Sequence, residues 1–141
     1  MTTSDIVTCP DCGQKNRVPA DASGTPRCGK CQTDLPWITT ATDDDFDAIA
    51  THASLPVLVD LWAPWCGPCR VVEPGVARAA QERAGKLKVV KVNVDEAPQI
   101  SQRFQARSIP MLVMLRNGNM VSQQVGATPP DQLMAFVDKA L

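Results

Sequence analysis

Six cysteines fall into three Cys-x-x-Cys pairs, Cys9/Cys12, Cys28/Cys31 and Cys66/Cys69, and their spacing separates two kinds of chemistry. The first two pairs lie fifteen residues apart, a spacing at which four thiolates close around a tetrahedral zinc ion. The third, in Trp65-Cys66-Gly67-Pro68-Cys69, follows the apolar run Pro56-Val57-Leu58-Val59-Asp60-Leu61-Trp62 and reads as a dithiol redox site. Four sulfurs are thus expected to hold metal and two to carry electrons.

Disulfide exchange needs a thiolate to attack and a second thiol close enough to release the trapped partner. Cys66 sits where a strand gives way to a helix, so orphan N–H groups and the helix dipole favour a negative sulfur there. Cys69, one turn on, is expected to be the more buried, resolving thiol. Gly67 permits close backbone approach, and Pro68 loses no hydrogen bond in a first helical turn. Reading this pair as half of a second zinc site leaves it without further ligands, since only the lone His52 lies outside the cysteine pairs. His52, at a helix end, is given no role.

Asp60 interrupts an apolar strand, where an unpaired carboxylate is costly and binds its proton more tightly. It is either a proton carrier beneath the active turn or a buried Asp satisfied by backbone or water. Lys91, inside the next apolar strand, is its expected charge partner, with snorkelling to solvent as the alternative. Trp62 is read as packing, Trp65 as partly exposed, and Trp37 as an anchor for the connector.

The elements that position these groups follow from pattern. Pro56–Trp62 and Leu87–Val94 are Val-rich runs expected to be buried parallel strands. Between them the segment from Cys69 to Arg83 predicts a helix interrupted or kinked at Pro74, giving a βαβ unit. Thr42 to Asp45 supplies an N-cap and acidic first turn, with Phe46, Ile49 and Ala50 on one face of a short first helix. Ala97–Gln105 reads as a short helix, Asn117-Gly118 joins two strands as a hairpin, and Pro130–Leu141 closes the chain as an amphipathic helix. The expected class is α/β: a central mixed sheet with helices on both faces, preceded by a small zinc-ribbon-like module. The boundaries are 1–37 for the module and 38–141 for the sheet domain.

Thirty-seven residues are too few for an independent core, since chains below about 40 residues lean on metal, disulfides or a partner. Zinc-spaced cysteines suit a reducing compartment. Met1-Thr2-Thr3-Ser4-Asp5 lacks the basic start of a secretory leader, and no apolar run reaches membrane-span length, so a cytoplasmic chain with no membrane partner is expected. A net charge of −1 gives no footprint for nucleic acid.

Trp62-Ala63-Pro64-Trp65-Cys66-Gly67-Pro68-Cys69-Arg70, the upstream Asp60, Pro74, Ile109-Pro110 and Asn117-Gly118 together resemble the thioredoxin family. The resemblance spans about residues 38–141, and with the four-cysteine segment the chain is similar to the thioredoxin 2 type. It implies the thioredoxin fold, Cys66 as nucleophile, Cys69 as resolving thiol, Asp60 as proton-transfer residue and Lys91 as its modulator. It also implies a cis peptide at Ile109-Pro110, and a groove for extended substrates formed by Trp65, the Gly67-Pro68 turn, Ile109, Pro110 and the backbone near Gly126. Met111 stands where many members carry threonine, a difference that bears on substrate preference.

The implied function is protein disulfide reductase: Cys66 attacks, a mixed disulfide forms, and Cys69 resolves it into a Cys66–Cys69 disulfide. Electrons come from NADPH through a separate thioredoxin reductase; the chain itself holds one structural zinc on Cys9, Cys12, Cys28 and Cys31, no organic cofactor, and acts as a monomer. A disulfide oxidase or isomerase is disfavoured by Gly67-Pro68, where a histidine is usual. Two further readings attach to the N-terminal segment: a redox-sensitive zinc switch whose thiols oxidise, or a partner-binding or chaperone element.

Overall fold

The computed structural model describes residues 4–141; Met1 to Thr3, part of the stretch examined for a leader, lie outside the described residues. The N-terminal segment forms an antiparallel hairpin, β1 (Ser4–Thr8) and β2 (Lys15–Pro19), with the first cysteine knuckle at its tip. The sequence reading anticipates only turns here. Pairing is favoured because Val7 and Val18 find apolar cover on Leu35 and Trp37, in a small core with Cys9 and Cys28.

After β3 (Ile38–Thr40), a single π-helical turn at Asp47–Thr51 precedes β4 (Val57–Trp62), α1 (Gly67–Glu82), β5 (Lys88–Asn93) and α2 (Pro98–Arg103). The hairpin β6 (Met111–Arg116) and β7 (Asn119–Val125) and the helix α3 (Pro130–Asp138) complete the chain. Five strands pair in the order β3-β5-β4-β6-β7, parallel for β3, β5 and β4 and antiparallel for β6 and β7. The expected mixed sheet with helices on both faces is the observed one. Asn117 and Gly118 turn the hairpin with φ of 53° and 80°, the left-handed conformation such a tight turn demands.

Alternation along the buried strands divides the core. Val57, Val59 and Leu61 of β4, Val90 and Val92 of β5, and Val113 of β6 join Phe46, Ile49 and Ile100 on one face. Leu58, Val89, Leu112 and Met114 face the other way, against Val72, Val76 and Ala79 of α1 and Leu133 and Val137 of α3. Gly75 allows those two helices their close approach, since a Cβ there would meet Leu133 Cδ1 at 3.1 Å and Pro130 Cα at 3.3 Å. Asp60 and Lys91 are register partners, and period-two alternation puts both on the α1 side.

The first helix departs from expectation. Thr42 donates its N–H and hydroxyl to Asp45 Oδ1, but the following turn widens to the π form. The carboxylate of Asp43 is used elsewhere, accepting the backbone N–H groups of Gln99 and Ile100 at the start of α2, whose N-cap residue, Ala97, has no side-chain acceptor.

The widened turn leaves the Ile49 carbonyl free for Lys88. This lysine, only 1% exposed, donates to Ile49 O at 2.6 Å and Ala20 O at 2.5 Å and lies 4.1 Å from the centre of the Trp37 ring. Burial pushes its amine down to about 8, against the pull of Asp21, so at pH 7 it remains the cation that two carbonyls and a ring face favour. It joins the end of the N-terminal hairpin to the sheet. Lys88→Met is expected to cost about 2 kcal/mol, because two buried carbonyls lose their donor. Urea unfolding of the full chain measures this, and an unchanged midpoint would contradict it.

Candidate active site and metal cluster

Cys66 ends the turn after β4 and is the N-cap of α1, in extended conformation with φ −89° and ψ 107°. Its sulfur accepts the Cys69 backbone N–H at 3.2 Å, so an orphan donor of the first turn of α1 points at the reactive atom. Cys66 and Cys69 form a disulfide with Cα atoms 5.4 Å apart. Their exposures are 4% and 3%, so the expected contrast between an exposed attacker and a buried partner is absent from this disulfide form. Each sulfur covers the other, and Cys66 is capped by the segment at Ile109, whose carbonyl oxygen lies 3.7 Å from its Sγ.

The Ile109–Pro110 peptide is cis. The Pro110 carbonyl accepts the N–H of Gly126, whose φ of 101° requires a residue without a Cβ. Thr128 fixes that bend by donating to Gly126 O. Trp65 stands 70% exposed beside the disulfide, its Nε1–H donated to Asp95 Oδ2 at 3.0 Å. The side chain of Met111 is buried in the core with Leu61, Val92 and Ile100, so the departure from threonine places no exposed side chain after Pro110.

Asp60 is 0% exposed, and neither carboxylate oxygen has a hydrogen-bond partner among the described residues. Burial pushes its pKa up to about 7, with Lys91 pulling down and Glu73 pushing up. Lys91, the expected charge partner of Asp60, does pull on the buried carboxyl, but the direct hydrogen bond of its Nζ goes to Glu73 Oε1. Glu73 comes from α1, is half exposed, and offers the ammonium a wetter partner than a carboxylate sealed beneath the helix. Nor does Lys91 snorkel from a sheet edge, because β5 is flanked by β3 and β4.

The two N-terminal knuckles share one backbone design. Cys9 N–H donates to Gln14 O and Gly13 N–H to Cys9 O; Cys28 N–H donates to Thr33 O and Gln32 N–H to Cys28 O. Gly13 and Gln32 both take positive φ, 78° and 66°. The four sulfurs lie within 4.8 Å of one another, with Cys9–Cys31 and Cys12–Cys28 at 3.6 Å. A tetrahedral zinc with bonds of about 2.3 Å needs sulfurs about 3.8 Å apart, so this donor set fits the ion. Backbone N–H groups reach the sulfurs, that of Lys30 donating to Cys28 Sγ and that of Cys12 to Cys9 Sγ, contacts that favour a negative sulfur as a ligand needs.

Glu73, Asp95 and Lys88 are the residues that sequence reasoning missed. Glu73 carried a signal, standing four residues after Cys69 on the same helix face; the other two are brought in by tertiary packing.

The thioredoxin family model matches residues 37–139. The chain belongs to the thioredoxin family. A second model, described as Thioredoxin 2, N-terminal, matches residues 8–33, the segment of the four-sulfur cluster, which is accordingly of the zinc-ribbon type. Among relatives, a thioredoxin from Haemophilus influenzae is 44% identical over 69% of this chain and 91% of its own. Thioredoxin 1 of Nostoc sp. is 48% identical over 71% of this chain and 94% of its own. Thioredoxin C-2 of Corynebacterium nephridii is 43% identical over 72% and 94%. The mixed sheet is therefore the thioredoxin fold, and the protein is a thioredoxin-type disulfide reductase with a Cys66–Cys69 redox pair.

The cluster's chemistry gives a direct expectation. Metal analysis of the full chain should return zinc in a one-to-one ratio, falling to none in Cys28→Ser, while the far-ultraviolet signature of the five-stranded sheet persists. Full zinc retention in that variant would contradict the ligand set.

Proposed function

We propose that reduced Cys66 attacks one sulfur of a substrate protein disulfide, forming the Cys66–substrate bond and expelling the first substrate thiolate. Asp60 takes the proton of Cys69, whose thiolate then attacks the Cys66 sulfur. The Cys66–Cys69 bond forms, the second substrate thiolate leaves, and protons from Asp60 and solvent neutralise the products. Two electrons pass from the protein dithiol to the substrate disulfide.

The observation that carries this assignment is the Cys69 N–H held at 3.2 Å on Cys66 Sγ at the head of α1, which favours negative charge on that sulfur. Trp65, Gly67, Pro68, Ile109, Pro110 and the backbone at Gly126 form the groove for an extended segment around the target disulfide. Electrons return from NADPH through a separate thioredoxin reductase, and the protein works as a monomer in the cytoplasm, away from membrane and nucleic acid. No helix among the described residues is long and apolar enough to cross a membrane.

Residues 1–37 act as a module stapled by one structural zinc on Cys9, Cys12, Cys28 and Cys31, and 38–141 as the catalytic domain. Bound zinc would hold the two knuckles together; the reductase chemistry belongs to Cys66 and Cys69. The exposure of Cys12 and Cys31 favours a second role for the module, as an oxidation-sensitive zinc switch.

With dithiothreitol as reductant and a protein disulfide as substrate, Cys66→Ser is expected to abolish catalysis. Cys69→Ser should still be attacked through Cys66 but stall as a covalent adduct, visible by mass spectrometry without reductant. Parent-like turnover in Cys66→Ser would refute the assignment of the nucleophile.

A further inference from the structure

Three ionisable side chains outside the disulfide converge under the first turns of α1: Asp60 on β4, Lys91 beside it on β5, and Glu73 on α1 itself. The third neighbouring element, β6, places Leu112 opposite Asp60 and adds no charge. Within this group the pairing is lopsided. Lys91 gives its ammonium to Glu73 Oε1, and both oxygens of Asp60 are left without a partner. Lys91 is further held with its Nζ 5.1 Å from the centre of the Trp62 ring. A cleft of about 320 Å³ runs from Cys69 to Glu73, with Trp62, Pro64 and Arg70 along it, so the same carboxylate borders the approach to the resolving thiol.

We propose that Glu73 is a positioning residue for the resolving step: by holding the Lys91 ammonium it keeps that cation from pairing with Asp60, leaving the buried carboxyl free to exchange the proton of Cys69. The inference rests on the proton-carrier reading of Asp60 and adds the group that controls it. Two effects of Glu73 act in one direction. Its own charge disfavours a second negative charge nearby, and its bond to Lys91 holds the ammonium off the Asp60 oxygens, so that the cation's pull on Asp60 acts without a direct hydrogen bond. Were Glu73 neutral, Lys91 would be free to turn to Asp60, its register partner on β4, Asp60 would ionise at lower pH, and it would be a poorer base for the thiol.

The test uses the pre-reduced full chain and a synthetic peptide disulfide in single-turnover reactions from about pH 5 to about pH 9, a range that brackets a carboxyl raised by burial. The parent is expected to show a rise in the Cys69-dependent rate near neutrality, and Asp60→Asn to remove it. Glu73→Gln is expected to move that rise down by about 1 pH unit, as pairing with a cation shifts a carboxyl by about 1 to 3 units. Glu73→Asp, which keeps the carboxylate, should return the midpoint towards the parent's. A rise that stays at the parent's midpoint in Glu73→Gln, yet vanishes in Asp60→Asn, overturns the positioning role alone, even if Glu73→Gln lowers thermal stability. A rise that survives Asp60→Asn overturns the proton-carrier reading and the proposal with it.

Discussion

A carboxylate sealed inside the sheet sets the terms for the reactive end of this molecule. β4 is paired on both sides and covered on both faces, and Asp60 is its one charged residue. A buried, unpartnered carboxylate would cost several kcal/mol if it stayed ionised, and the protein meets that cost by protonation near neutrality. β4 ends a short turn before Cys66, the N-cap of α1, and α1 packs on the face of the sheet that carries Asp60. The nearest cation is held aside by Glu73.

The N-terminal segment answers a different constraint. Its core consists of little more than Val18, Leu35, Trp37 and two cysteines, too small to hold a fold unaided. Two repeated knuckles gather four sulfurs at metal-binding distance, and Lys88 ties the end of the hairpin to the π-helical turn. The buried lysine costs desolvation, as its lowered pKa records, but its two carbonyl acceptors and the Trp37 ring offset much of that cost. The zinc ribbon and the sheet therefore share an apolar seam rather than hanging from a flexible linker.

Much of this was legible in the chain itself. Cysteine spacing divided metal from redox sulfurs, Val-rich runs marked the central strands, and Asn117-Gly118 marked the hairpin, because each signal is local and carries its own physical cause. What the sequence concealed depends on partners distant along the chain. The direct hydrogen bond of Lys91 goes to Glu73 rather than Asp60 because the choice between two carboxylates is set by where α1 sits. The π-helical turn and the free Ile49 carbonyl make sense only with Lys88 in place. Asp43 looked like part of its own helix start and instead caps α2, since Ala97 left that helix without a side-chain acceptor. The near-equal burial of Cys66 and Cys69 follows from the disulfide and the covering Ile109 segment, neither of which a local pattern can show.

The most direct test of this account is the titration of the Asp60 carboxyl in the disulfide form, followed by carbon NMR of protein labelled at aspartate side chains and assigned with Asp60→Asn. A midpoint near 7 is the expected result. A midpoint near the ordinary aspartate value of about 3.9 would mean that the carboxyl is hydrated or paired, and the buried proton carrier would be excluded.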